Sequence, residues 1–231
     1  QSAATLLTHA RALVQQGQNV YFGLALGPEG LPAKRRILAS EARGIGCLWA
    51  DVDFGTEGHK KKVPPTQDEA MSLVNGMPLP PSMVVHSGNG LHVYWIFKEP
   101  WVFESEDERI RAEELSEGWS FLLRSKAQAK GWTLDSTFDL ARVLRVPGTV
   151  NLKDPKNPKP VSIIQQNDTR YNPDDFGEYM PTIPQEEKRI GIREARIDGL
   201  ALRSDAAYPV DKFEAMMENN EKFAATWTHK R

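Results

Sequence analysis

The chain has 231 residues, 40% of them hydrophobic and 26% charged, with a formal net charge of −2. That length allows one large domain or two small ones around a substantial core, and the composition is that of a globular protein. No apolar run approaches the roughly 18 residues a membrane span needs, and the single cysteine, Cys47, rules out an internal disulfide and a cysteine-based zinc site.

The N-terminus lacks the basic-then-apolar pattern of a secretory signal, so a cytoplasmic protein is expected. Whole-chain charge says nothing about nucleic acid, but charge is segregated locally. Between Arg124 and Pro160 eight Lys or Arg residues face three Asp, whereas Glu104 to Glu117 is strongly acidic. Such segregation suits a phosphate-facing side.

In chain order, residues 3–16 repeat apolar positions at helical spacing and stop at Gly17, which predicts a first helix. "NVYFGLAL" (19–26) predicts a strand, and the polar stretch with Lys34, Arg35 and Arg36 a solvated turn. "GIGCLWADVDF" (44–54) is the clearest buried strand, apolar until two aspartates appear near its end. A loop carrying Lys60, Lys61 and Lys62 leads to a short helix over 67–75.

"SMVVHSGNGLHVYWIF" (82–97) then predicts a hairpin, with Gly and Asn at its turn. Residues 106–130 predict a helix with Ile110, Leu115, Trp119, Leu122 and Leu123 on one side and Gly131 as its stop. The segment 133–151 reads as irregular, then helical around 138–144, then broken by Pro147 and Gly148. "PVSIIQQ" (160–166) predicts one more strand. Beyond about 175 the composition suits a linker, and 210–230 a helix without a full core of its own.

Three stretches carry chemistry. Asp51 and Asp53 stand at i and i+2 on a strand, so both carboxylates project from one face, an arrangement that a divalent cation relieves. The hairpin tip offers Ser87, Gly88, Asn89 and Gly90, whose backbone and short side chains suit an anion, with His92 beginning the return strand. The segment from Asp135 to Asn151 offers two acids, Asp135 and Asp139, then Arg142 and Arg145 three apart, suited to phosphate. Taken singly, each has a bland reading: solvated acids, an ordinary turn, surface ion pairs. Together they supply what a nucleotide–metal site needs.

The ordered set "WADVDFG", "SGNGLHVYW" and "LDSTFDLARVLRVPGTVN" resembles the three catalytic motifs of the archaeo-eukaryotic primase superfamily, and specifically the primase-polymerases of plasmids, phages and mobile elements. The resemblance runs from about Asn19 to Ile164. It implies an α+β fold: an RRM-like antiparallel sheet with helices, packed beside an N-terminal α/β module. It implies a catalytic domain over 1–175, a linker over 176–205, and a helical extension over 206–231 truncated from a longer protein.

By the same resemblance Asp51, Asp53 and Asp135 hold two Mg²⁺ or Mn²⁺ ions, with Asp139 the alternative third acid and no zinc. His92, the Ser87–Gly90 loop, Arg142 and Arg145 bind the triphosphate. Partners would be a single-stranded DNA template, a primer, NTP or dNTP, and a fused or separate helicase; Arg35, Arg36, Lys60 and Lys61 would lie along the template. In part of the superfamily a serine lies two residues before the histidine, and here that position is Gly90. A non-catalytic nucleic-acid-binding or replication-initiation module and a metal-dependent nuclease are the alternative readings.

Overall fold

The apolar run that ends in Asp51 and Asp53 becomes an interior strand of the main sheet, beside its central one. The structure, a computed structural model, describes residues 3–31, 35–55 and 62–183. Its elements are α1 (Ala3–Gln15), β1 (Tyr21–Gly23), β2 (Ala25–Leu26), β3 (Gly44–Asp53), α2 (Gln67–Asn75), β4 (Met83–His86), β5 (Gly90–Val102), α3 (Glu106–Ala129), β6 (Val143–Arg145), β7 (Val150–Asn151), β8 (Lys159–Pro160) and β9 (Ser162–Gln166), with short 3₁₀ turns at Ala39–Glu41 and Pro173–Tyr179. No helix among the described residues is long and apolar enough to cross a membrane. Lys34, Lys60, Lys61 and the expected C-terminal helix lie outside the described residues.

Five strands form an antiparallel sheet in the order β2-β3-β5-β4-β9, and two ribbons, β1·β6 and β7·β8, stand apart from it. Because side chains alternate along a strand, β3 and β5 present Leu48, Ala50, Val52, Leu91, Val93 and Trp95 to one face. Helix α3 covers that face: Trp119 meets Trp95 edge-on at 5.2 Å and Phe176 at 4.9 Å. The helix starts where Ser105 caps the Glu108 N–H and ends before Gly131, whose φ of 76° only glycine adopts readily.

Its buried stripe differs from the expected one. Ala112, Ser116, Trp119, Ser120, Leu123 and Ala127 face the core, while Ile110 is 40% exposed. Small residues at near-i,i+4 spacing leave room beside them for the edge-on pair of Trp119 and Trp95. Phe176, at the start of the expected linker, is fully buried against Tyr171, Phe97 and Trp119.

Two further expectations are corrected. "NVYFGLAL" is not one strand: β1 pairs with β6, the chain bends at Leu24, and β2 pairs with β3. Residues 138–144 are not helical either. A turn closes with Arg142 N–H on the Asp139 carbonyl, and Val143–Arg145 pairs with Tyr21–Gly23. Local propensity there is weak, and pairing with a distant strand overrides it. Arg142 and Arg145 therefore do not share a helix face.

Candidate active site

Asp51 lies directly opposite His92 across β3·β5, and Asp53 opposite Gly90. Period-two alternation puts both acids and the imidazole on one face of the sheet, with Trp49 and Tyr94 beside them. That face is approached by the β1·β6 ribbon and the segment before β6. Trp49 donates its indole N–H to the Thr137 carbonyl at 2.6 Å, and Phe22 of β1 stacks on Tyr94 at 6.3 Å.

The electrostatics of this face are those of a crowded, charged site. Asp51 keeps 33% of its side chain exposed, yet burial pushes its carboxyl up to about 6; Arg142 pulls it down, Asp135 pushes it up, and Arg145 and Lys153 pull it down. His92 is 4% exposed, and burial together with the Arg145 charge lowers its imidazole to about 4, against the pull of Asp53. The ring is therefore neutral at pH 7. Its Nε2 stands 3.9 Å from Asp51 Oδ1, too far for a hydrogen bond, and its Nδ1 is buried without a partner. The Tyr94 hydroxyl is also buried without a partner, and the Arg142 Nε as well.

The hairpin tip is organised by the protein itself. Ser87 gives both its N–H and its hydroxyl to the Gly90 carbonyl, at 2.8 and 3.0 Å, and the Gly88 N–H bonds to His86 Nδ1 at 3.1 Å. Gly88 has φ of 102°, and a Cβ there would stand 2.9 Å from Asn151 Nδ2 and 3.0 Å from Lys159 Cβ. The β7·β8 ribbon thus packs on the tip: Asn151 donates to the Ser87 carbonyl at 2.8 Å, and Lys159 Nζ to Asn89 Oδ1 at 2.6 Å. The donors of Ser87 and Gly88 are taken up inside the hairpin.

Two of these differ in how they are held. Arg142 pairs with Asp139 at 2.7 Å. Arg145, 9% exposed on β6, donates to Asn19 Oδ1 at 2.6 Å and lies over the Tyr21 ring at 4.7 Å. Asn19 Oδ1 also accepts from the Leu152 N–H, so one side chain ties β6 to the turn after β7. Asp135 is exposed, and its charge reaches Asp51, whereas Asp139 is engaged by Arg142.

No protein-family model and no curated protein matches the chain. Among solved structures, the AEP domain of the cyanophage S-2L primase-polymerase is similar over 78% of this chain and 78% of its own, with a TM-score of 0.50 and 18% identity. A crystal structure of the primase RepB′ is similar over 96% of this chain and 63% of its own, with a TM-score of 0.43 and 15% identity. The chain shares its fold with the AEP domain of that primase-polymerase.

Within this primase fold the structure brings Asp51, Asp53, His92, Arg142 and Arg145 to one face, with Asp135 in electrostatic reach. No group of three His, Cys, Asp or Glu among the described residues stands close enough to form a preformed metal cage. Of the expected template residues, Arg35 and Arg36 are described. Arg35 is ion-paired with Glu41, and Arg36 donates to the Ala141 carbonyl at 3.0 Å, beside Arg142. Nearby aromatic side chains are held variously: Phe54 packs edge-on against His86, and Tyr21 is 47% exposed.

Residues that the sequence alone did not single out are Asn19, Tyr94, Asn151, Lys153 and Lys159. The lysines sit in "NLKDPKNPKP" and enter the sequence reading only as part of the basic segment 124–160. Only the β7·β8 pairing shows that it reaches the hairpin.

Proposed function

We propose that the chain is a template-dependent nucleotidyltransferase, a DNA primase or polymerase that makes or extends primers on single-stranded DNA during replication of a mobile element, in the cytoplasm. The observation that carries this is the convergence on Asp51: a second carboxylate at Asp53, a neutral buried imidazole opposite, and Arg142, Arg145 and Lys153 close enough to act on its charge. A nuclease needs the acids but has less use for so many phosphate-suited cations.

The donor set fits a divalent cation. Two strand carboxylates, one raised by burial and by Asp135, lose repulsion when a cation is bound, and Mg²⁺ is commonly held by one or two carboxylates with waters and substrate phosphates completing its shell. Asp51 and Asp53 would hold it, with Asp135 joining from its loop. When bound, such ions lower the pKa of an attacking hydroxyl and neutralise charge on a leaving pyrophosphate.

The chain's own residues then do the rest. Arg142, Arg145 and Lys153 attract and orient the triphosphate and offset the charge that develops on it in the transition state. Neutral His92 offers a ring N–H to a phosphate oxygen from a rigid strand position, without holding a competing salt bridge to Asp51. The Asn151 and Lys159 bonds fix the hairpin that carries it.

The test is a gel assay on single-stranded templates, primed and unprimed, with labelled dNTP or NTP in Mg²⁺ and in Mn²⁺. Template-dependent extension is expected. No incorporation under any condition, or nucleotide release without added dNTP, overturns the proposal. His92→Leu keeps the buried volume and removes the N–H, so the nucleotide KM is expected to rise about tenfold or more while the melting temperature is nearly kept. An unchanged KM would take His92 out of the site.

A further inference from the structure

We propose that Gly90 is a positioning residue: the empty space where its side chain would be is the seat of the Asp53 carboxylate. This rests on the reading of Asp51 and Asp53 as ligands of a divalent cation.

The register sets Gly90 opposite Asp53, at the last pair before the hairpin tip. A Cβ on Gly90 would stand 3.0 Å from Asp53 Oδ1, 3.0 Å from Asp53 Cα and 2.8 Å from the Val52 carbonyl. The first contact means that the carboxylate folds back over the start of β5. The other two are backbone atoms, so a side chain at 90 must also spread β3 from β5 locally. Glycine is therefore not required here by its torsions, since Gly90 has no positive φ. It is required by an approach between a carboxylate and the facing backbone.

The consequence is particular to this pair of positions. Along the same face, Asp51 stands opposite a full imidazole at His92, whereas Asp53 stands opposite a glycine. The two carboxylates can then lean over the β5 side of the sheet together. Any side chain at 90 pushes Asp53 away from Asp51 and spoils their joint grip without touching either acid's chemistry.

Gly44 supplies a matched control. A Cβ there would stand 2.6 Å from the Trp101 carbonyl and 3.0 Å from Val102 Cα, the same steric insult to β3·β5 at the far end of the pair. Mn²⁺ binding to the full chain is measured by electron paramagnetic resonance for wild type, Gly90→Ala and Gly44→Ala, with melting temperatures alongside. Gly90→Ala is expected to weaken Mn²⁺ binding about tenfold or more, as loss of an orienting neighbour does, and Gly44→Ala to leave it unchanged despite a comparable loss of stability.

Equal weakening in the two variants, or unchanged binding in Gly90→Ala, overturns the role of Gly90 while the metal site stands. A wild-type chain that binds no Mn²⁺ overturns the metal site and Gly90 with it. If Gly90→Ala does not fold, the wild type gives the answer by NMR. Substoichiometric Mn²⁺ should broaden the Gly90 amide and spare that of Gly44; a Gly90 amide that survives saturating Mn²⁺ overturns the proposal.

Discussion

Asp51→Asn is expected to abolish nucleotide incorporation and to raise the melting temperature of the metal-free protein. The two effects have one cause. Burial and the Asp135 charge hold the Asp51 carboxyl at about 6, so at neutral pH the folded chain ionises this group against a penalty that the unfolded chain does not bear. Asparagine removes the charge and the penalty at constant shape. A shift of this size corresponds to about 3 kcal/mol for a fully enclosed group. The side chain is one-third exposed, so solvent screening leaves about 1 kcal/mol, or about 2–4 °C for a domain of this size.

The sign fixes the pH window. The folded-state pKa is raised above the model-peptide value of 3.8, so the wild type is favoured where the group is protonated in both states, and loses that advantage as pH rises from about 4 to about 6. The gap in melting temperature between Asp51→Asn and wild type is therefore present at pH 8 and closes towards pH 4. Added Mn²⁺ reverses the order at pH 8, because a ligand that binds only the folded wild type stabilises it. Loss of several kcal/mol of transition-state stabilisation makes the incorporation rate fall on the order of 10³-fold or more. Calorimetry with and without Mn²⁺, beside the extension assay, checks both halves. A variant that is inactive and also less stable without metal would show that Asp51 is held for structure.

This opposition between stability and chemistry explains which parts of the site are legible in sequence. Asp51 and Asp53 break an otherwise apolar strand, and an acid where burial is otherwise continuous is a local signal. So is the Gly-Asn-Gly turn, because turn chemistry is written in the residues that form it. The helices expected over 67–75 and 106–130 form at Gln67–Asn75 and Glu106–Ala129, the second from its apolar periodicity and its glycine stop.

What was not legible depends on partners far away in the chain. Val143–Arg145 looks like the end of a helix until Tyr21–Gly23 is placed beside it. Asn19 is an ordinary loop residue until it is found accepting from both Arg145 and Leu152. Gly90 reads from sequence as a residue that brings backbone close to phosphate; the structure shows Asp53 occupying that approach. Each of these is set by register between strands, which no local window contains.

Arg145→Met and Arg145→Lys separate two roles that Arg145 combines. Its guanidinium holds Asn19 at 2.6 Å and the Tyr21 ring at 4.7 Å, and its charge acts on both Asp51 and His92. Methionine keeps the buried stem and loses all of these. A hydrogen bond to a charged group and a cation–π contact, less the desolvation saved, come to about 2 kcal/mol. The melting temperature is then expected to fall by about 4–8 °C.

The nucleotide KM rises as well, and the acid limb of the rate–pH profile moves up, since a charge that lowers Asp51 has gone. Lysine restores a positive charge but not the planar fork that Asn19 and Tyr21 receive. It should recover much of the KM and the pH profile, and little of the melting temperature. Recovery of both by lysine would mean that charge alone holds β6 to β1. Recovery of neither would place the Arg145 contribution to nucleotide binding in the geometry of its guanidinium.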